Sequence, residues 1–318
     1  MFGLANLLQR HAALADRGRD GFFDLPHGYR SPGCWTAYTA RARKRDLRLA
    51  DLEIPEGELL DYALAINIQR ALSEQDTYRY DRHRAGLNYS PLVLLDSPEE
   101  TEHATGEINS CIRRLFGSDY ANFTSKMCEL VGDLLDNVWS HGKSTGISMA
   151  QKWRNPPDDG FCFEFAVADC GYGFLRELRR AGIQGIETDQ AAIAWCIEKG
   201  NSTKKRSVDE WVQRLPPDAM GNPMPGIAQV VESENHHLGL GLAKLVEDLE
   251  RFDGWLWLAS GSSMLVISPG QKRVFKEVSV PWEGVAIACR FDSNRVASRE
   301  APEPPDEFAD ILGTLLRR

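Results

Sequence analysis

The segment CELVGDLLDNVWSHG, residues 128–142, most limits the folds that this chain can adopt. Asp133, Asn137 and His141 follow one another at intervals of four, and each such step drifts by roughly 40° around a helix. These polar side chains therefore form a shallow spiral at the edge of a predicted helix. The apolar side of that helix, which must be covered by other elements, is formed by Leu130, Val131, Leu134, Leu135, Val138 and Trp139.

The polar edge of this helix has two interpretations. It can be a solvated edge, which needs no further explanation. It can also face a pocket, because an amide oxygen such as that of Asn137 ligates hard cations such as Mg²⁺. The carboxylate of Asp133, one turn earlier, could then orient or deprotonate a water molecule. The helix alone does not decide between these interpretations.

A second segment, FCFEFAVADCGYGF, predicts a buried strand that ends in Asp169. Gly171 and Gly173 follow directly and permit a close approach of the backbone to a ligand. A carboxylate in this position suits a hydrogen bond from the amino group of a heterocycle. The same letters also occur in ordinary turns, so this segment alone is weak evidence.

A third segment, HHLGLGLAKLVEDL, places Gly239 and Gly241 at the start of a predicted helix. The free amides of a helix N-terminus can hold phosphate groups. The dinucleotide-binding pattern GxGxxG fits poorly here, and the Walker A pattern is absent from the chain.

The overall composition excludes several classes of protein. A net charge of −9 provides no general basic field for nucleic acid or an anionic membrane. The longest uncharged window, residues 254–271, is broken by Gly, Ser and Pro and predicts two strands and a turn, not a membrane span. Seven scattered cysteines without a CxxC pair argue against a disulfide framework and a thiolate zinc site, and favour a cytoplasmic protein.

We predict three regions along the chain. Residues 1–98 predict a small α/β interaction region, in which a helix is followed by a short strand and a turn at Pro55. Residues 99–292 contain the three segments above and a long loop at 200–237, which is typical of a functional loop. Residues 293–318 predict a Pro/Glu linker and an amphipathic C-terminal helix that packs on the body or docks a partner.

The three segments together, in this order and spacing, resemble the GHKL superfamily of histidine-kinase-like ATPases. DLLDNVWSH resembles the N box of that family, DCGYG its first glycine box and GLGLAK its second; AIAWCIEKGNSTKK resembles the stretch leading into the ATP lid. The similarity covers roughly residues 100–292. It implies a two-layer α/β sandwich of the Bergerat type, with a mixed sheet and helices on one face. The N-terminal region, loosely similar to a STAS module, would then be a smaller α/β appendage.

The resemblance also implies roles for individual residues, with ATP and Mg²⁺ as cofactors. Asn137 would ligate Mg²⁺, and Asp169 would accept a hydrogen bond from the adenine amino group. The remaining implied contacts are Gly171 and Gly173 around the base, Gly239, Leu240 and Gly241 at the phosphates, and Ser202, Thr203 and Lys204 in the lid near the γ-phosphate.

Asp133 takes the position of the catalytic carboxylate, where hydrolytic members of the family carry Glu. Its shorter side chain puts catalysis in doubt, because displacements of about 1 Å can lower a rate roughly a hundredfold. Glu129, one turn earlier, is a candidate substitute.

Two functions remain open at this stage. One is an enzyme that hydrolyses ATP or transfers its γ-phosphoryl group to a protein partner in bacterial-type signalling. The other is a non-catalytic switch, in which nucleotide orders the lid and changes which protein is bound. We expect a protein partner at the N-terminal region or the C-terminal helix, no nucleic acid and no membrane, and leave a homodimer open.

Overall fold

The computed structural model describes residues 31–52, 54, 56–138, 144–154, 160–201 and 241–300. Within these ranges, no helix has both the length and the apolar character needed to cross a bilayer. His141, the lid residues and the C-terminal tail fall outside the described ranges, so the predictions made for them stay untested.

The centre of the fold is a five-stranded sheet with the order β1-β2-β3-β5-β4. Its strands are β1 (Tyr89–Leu95), β2 (Gly146–Arg154), β3 (Phe161–Asp169), β4 (Trp255–Ile267) and β5 (Val274–Asp292). All four pairings between these strands are antiparallel, so the mixed sheet that we predicted is wrong for the described strands. Two long helices connect β1 to β2. They bring the chain back to the end of β1, where Leu95 pairs with Gly146, so β2 runs antiparallel to β1.

The helices, numbered along the chain, are α1 (Pro32–Lys44), α2 (Glu58–Ala65), α3 (Ile68–Ala71), α4 (Pro98–Phe116), α5 (Ala121–Asn137), α6 (Gly173–Arg180), α7 (Asp189–Cys196), α8 (Gly241–Arg251) and α9 (Ser293–Arg299). Ser97 caps the start of α4: its hydroxyl accepts a hydrogen bond from the Glu100 N–H at 3.2 Å. Pro98 occupies the first turn, where its missing N–H costs nothing.

One face of the sheet is covered by α4, α5 and α8. The apolar side of α5 lies in this core, as its spacing predicts, and Phe123 of α5 packs with its ring centroid 5.0 Å from those of Phe252 and Phe291. Burying aromatic side chains of this size supplies much of the free energy that holds α5 on the sheet.

The opposite face is covered by α1, so the predicted arrangement with helices on one face only is wrong. Trp35 and Tyr38 of α1 are fully buried in a second core together with Ala166 and Ala168 of β3. Because β3 is apolar at both alternations, each of its faces needs a cover. The described part of the chain before β1 supplies helices to this core, and the strand that follows it, β1, joins the main sheet, so these residues do not form the separate α/β appendage that we predicted.

Two local predictions also need correction. The short strand expected after α1 is a 3₁₀ turn over Leu49–Asp51. The two strands expected within residues 254–271 are one continuous strand, β4, whose register against β5 shifts around Gly261. Gly261 has φ +59°, and an added Cβ there would collide with the carboxylate of Asp189, so the bulge makes room for that side chain.

Candidate functional site

The polar edge of α5 faces the first described turn of α8. A Cβ placed on Gly241 would lie 3.4 Å from Nδ2 of Asn137 and 3.6 Å from Cβ of Asp133. The absence of a side chain at Gly241 therefore lets the two helices approach closely where the polar residues lie. Residues from the predicted N box and second glycine box are in this way brought together.

Two ion pairs fix α5 against α8 away from this point. Lys244 Nζ lies 2.5 Å from Oε1 of Glu129, and Lys126 Nζ lies 3.6 Å from Oδ1 of Asp248. Burial raises the pKa of Asp248, and the nearby lysines oppose that shift. Glu129, the candidate substitute for the catalytic carboxylate, is thus engaged by a lysine of the neighbouring helix.

Asp133 lies deeper than a solvated helix edge would place it. Only 7% of the residue is exposed, and it already takes part in an interaction within the fold. Asn137, one turn later, is half-buried. The interpretation of these two residues as a solvated edge is therefore wrong for Asp133.

Asp169 ends β3 on the side of the sheet that α5 covers, since it alternates in phase with Phe165 and Val167 of that core. Its register partner on β2 is Gly146. A Cβ on Gly146 would lie 2.9 Å from Cγ1 of Val138, the residue after Asn137. The end of α5 and the end of β3 consequently meet across a glycine.

The environment of Asp169 is closed and polar. Its Oδ1 accepts a hydrogen bond from the Gly171 N–H at 2.8 Å, and its backbone oxygen accepts one from Nε1 of Trp282 at 3.0 Å. Burial raises the pKa of Asp169 to about 6, while the N–H groups of Gly171 and Val285 and the charge of Lys44 act in the opposite direction.

Gly171 and Gly173 line a cavity of about 360 Å³ that does not include Asp169 or Asn137. Gly173 has φ +70°, and a Cβ there would lie 2.9 Å from Oγ of Ser260, so the turn depends on glycine. Other residues that line the cavity are Lys44, Arg176, Arg179, Asp189, Trp282 and Glu283. The predicted base-pocket glycines thus line a cavity that Asp169 does not line, although Gly171 also contacts the Asp169 carboxylate through its N–H.

Several residues that shape the site were not predicted from the sequence. Gly146, Trp282 and Gly284 hold or surround Asp169, and a Cβ on Gly284 would lie 2.6 Å from its Oδ1. Trp282 and Gly284 stand just before the last apolar run, VAIACRF, which is a signal that could have been used. Gly146 gives no such signal, because its role follows from strand register.

The metal prediction rests on Asn137 alone. No group of three or more His, Cys, Asp and Glu residues in the described ranges could hold a metal ion. Mg²⁺ usually keeps several waters and binds through few protein groups together with phosphates, so a single amide oxygen is compatible with its chemistry. Ser202, Thr203, Lys204, Gly239 and Leu240, predicted to contact the phosphates, lie outside the described residues.

The structure therefore brings together Asp133, Asn137, Gly241 and the strand end carrying Asp169. It places Gly171 and Gly173 directly beyond, on a cavity of their own. Comparisons of this chain with protein-family models, with curated proteins and with solved structures found no significant match.

Proposed function

We propose that this chain binds Mg·ATP at the junction of α5, β3 and α8, as a protein of the histidine-kinase-like ATPase type. The observation that carries the proposal is the close approach of Gly241 to Asn137 and Asp133, with the end of β3 alongside. Three segments that are far apart in the sequence, each predicted to contact nucleotide, meet in one place.

The chemistry of these residues fits the proposed ligand. A carboxylate offers about four acceptor positions, and two backbone N–H groups contact that of Asp169, so capacity remains for the amino group of adenine. The amide oxygen of Asn137 is a suitable ligand for Mg²⁺, which bound ATP would bring with its phosphates. The helix α8 would direct its N-terminal partial positive charge towards them.

In the enzymatic form of the proposal, Asp133 is the catalytic carboxylate. It would orient and deprotonate a water molecule for hydrolysis, or the hydroxyl of a Ser or Thr of a protein partner for phosphoryl transfer. ATP supplies the phosphoryl group when bound. The free thiols of all seven cysteines suit a reducing compartment, and we place this function in the cytoplasm.

A specific observation favours the alternative, a non-catalytic switch gated by ATP. Asp133 is buried and engaged within the fold, and Glu129 is ion-paired with Lys244. Both candidate carboxylates of α5 therefore already have partners within the fold. In this form of the proposal, nucleotide changes which protein the chain binds through its lid, its N-terminal region or its C-terminal helix.

Calorimetric titration with Mg·ATP tests the proposed binding site. Replacing Asp169→Asn removes the charge of the acceptor and is expected to lower the affinity at least about tenfold, or roughly 1.4 kcal/mol. Asp119→Asn makes the same chemical change at an exposed position that is not part of the proposed site, and it should leave the affinity for Mg·ATP unchanged. Equal affinities for wild type and Asp169→Asn would reject the assignment of the adenine contact.

A phosphate-release assay then separates the enzyme from the switch. Asp133→Ala is compared with wild type, and Asp136→Ala, an exposed position on the same helix, is the control. Turnover in wild type and Asp136→Ala that is lost in Asp133→Ala supports an enzyme. Tight ATP binding without release of phosphate by any of the three proteins, with and without a candidate partner, supports the switch.

A further inference from the structure

The cavity beside Gly171 and Gly173 concentrates positive charge on a chain that is acidic overall. Lys44 reaches it from the end of α1, while Arg176 and Arg179 reach it from α6. The two arginines are three residues apart and so project from one side of their helix. Two elements that are remote in sequence thus supply three cations to one concave surface.

The carboxylates of the cavity are already committed to other groups. Oδ2 of Asp189 accepts hydrogen bonds from the N–H of Ser262 at 2.8 Å and from its hydroxyl at 2.9 Å. Glu283 pairs with Lys44, and the resulting charge attraction lowers the pKa of Glu283. Within the described ranges, neither carboxylate bonds to Arg176 or Arg179.

Arg176 and Arg179 keep most of their hydrogen-bonding capacity. Arg176 stacks on the ring of Tyr172, with Cζ 4.3 Å from the centroid, and Nη2 of Arg179 donates to the backbone oxygen of Glu187 at 3.3 Å. Among the residues that the structure describes, neither guanidinium is paired with a carboxylate. Since each guanidinium has five N–H donors, several remain available to a ligand.

The floor of the cavity is neutral and compact. Ser260 and Trp282 are buried there, and the two glycines expose backbone without side chains. A volume of about 360 Å³ lies at the lower end of the range for small-ligand sites. An aliphatic ligand would meet the two arginines on this surface, whereas a small polar anion would find complementary donors.

We propose that this cavity binds a compact phosphate-bearing anion. Each of the guanidinium groups of Arg176 and Arg179 has the planar fork of N–H donors that matches phosphate oxygens, whereas the charge of Lys44 is already balanced by Glu283. The site is separate from the proposed nucleotide site, because Asp133, Asn137 and Asp169 do not line the cavity. It stands whether or not the chain binds ATP.

Calorimetric titration with inorganic phosphate tests this site on the full chain. The double variant Arg176→Gln/Arg179→Gln removes both charges and keeps a similar helix propensity, and is expected to bind phosphate at least about tenfold more weakly than wild type. Arg180→Gln is the matched control, because Arg180 lies on the same helix but pairs with Glu177 and does not line the cavity. Equal affinities in all three proteins, or no binding by wild type at millimolar phosphate, would overturn the proposal.

A second pair of titrations separates this site from the nucleotide site and identifies the carrier of the phosphate. Asn137→Ala should bind inorganic phosphate as wild type does, whatever its affinity for Mg·ATP; a parallel loss of phosphate binding would overturn the separate site.

A peptide phosphorylated on serine is the other probe. Tighter binding of the peptide than of phosphate, abolished in the double variant, supports a phosphate carried on protein, and weaker binding supports a free anion. If the double variant bound inorganic phosphate and the phosphorylated peptide as tightly as wild type, the assignment of this cavity as a phosphate site would be contradicted.

Discussion

Arg290 and Glu164 are register partners on β5 and β3, and Nη2 of the arginine lies 2.6 Å from Oε2 of the glutamate. The guanidinium also contacts two aromatic rings, with Cζ 4.8 Å from the centroid of Trp153 and 5.2 Å from that of Trp257. The other oxygen of Glu164 accepts a hydrogen bond from the Gly33 N–H at 2.8 Å, at the start of α1. One buried ion pair therefore links the sheet to the helix that covers its second face.

Removing the arginine should strongly destabilise the fold. Arg290→Met leaves the carboxylate of Glu164, which is 1% exposed, without its counter-charge, and the free energy of unfolding should fall by about 3–5 kcal/mol. Adding Glu164→Gln to that variant removes the uncompensated charge and should restore part of the loss. Urea unfolding measures both effects.

The control for this prediction is an exposed pair. Arg273→Met breaks the contact with Glu250, whose atoms are nearly half exposed, and should cost only about 0–1 kcal/mol. A similarly small effect for Arg290→Met would show that Glu164 reaches water or another donor when its partner is lost.

The elements of the nucleotide-site prediction could be taken from the sequence because they depend on local patterns. The periodicity of residues 128–138 gives both the buried side of α5 and the phase of Asp133 and Asn137 along it. The apolar run of β3 likewise gives the strand end at Asp169. Such patterns are properties of neighbouring residues, so they do not require knowledge of the rest of the fold.

The cover of the second face could not be predicted in the same way. Glu164 is a single charge in the apolar run FCFEFAVA, and its partner lies 126 residues later. Which arginine meets it depends on the register between β3 and β5, and that register is set by the whole sheet. The same limit applies to Gly146, whose position under Val138 follows from strand pairing and not from its own neighbours.

The raised pKa of Asp169 predicts how the stability of the folded chain depends on pH. The folded chain raises this pKa from its ordinary 3.8 to about 6, so the fold favours the protonated carboxyl group. Compared with Asp169→Asn, the stability of wild type should therefore rise as the pH falls from about 6 towards about 4, and lose this contribution above pH 6. Urea unfolding of both proteins across this range measures the difference.

Ligand binding should show the opposite dependence on pH. If the ionised carboxylate accepts from adenine, wild type should lose affinity for adenosine as the pH falls through about 6, whereas Asp169→Asn should not. Adenosine is the suitable probe, because it has no phosphate groups that titrate in this range. Parallel curves for the two proteins would contradict a role for the charge of Asp169.

Gly284 should be required for the shape of the site and not only for backbone freedom. Both Gly284 and Gly270 have positive φ, at +101° and +64°, but only Gly284 lacks room, since its Cβ would lie 2.6 Å from Oδ1 of Asp169. Gly270→Ala should cost about 1–2 kcal/mol through backbone strain alone. Gly284→Ala should cost more and also weaken Mg·ATP binding. Unchanged nucleotide affinity in folded Gly284→Ala would place the nucleotide away from Asp169.

Gly146 tests whether the end of α5 must lie against the end of β3 for nucleotide to bind. In Gly146→Ala, the new Cβ would lie 2.9 Å from Cγ1 of Val138 and 3.3 Å from the backbone oxygen of Ala168, so the contact between the end of α5 and β2 must adjust, and we expect α5 to shift. Overpacking of this kind costs about 1–3 kcal/mol. The shift would also move Asn137 relative to Asp169, and we expect weaker binding of Mg·ATP by calorimetry.

The matched control is Gly106→Ala, within α4. A Cβ at this position meets nothing within 4 Å, and alanine in a helix interior should stabilise the protein by about 0.5–1 kcal/mol without affecting the ligand. In Gly146→Ala, both the melting temperature and the affinity for Mg·ATP should fall. In Gly106→Ala, the melting temperature should rise while the affinity stays unchanged. If Gly146→Ala lost stability but kept its affinity for Mg·ATP, the result would contradict a nucleotide held jointly by Asn137 and Asp169, because a shift of α5 should change the distance between these two residues.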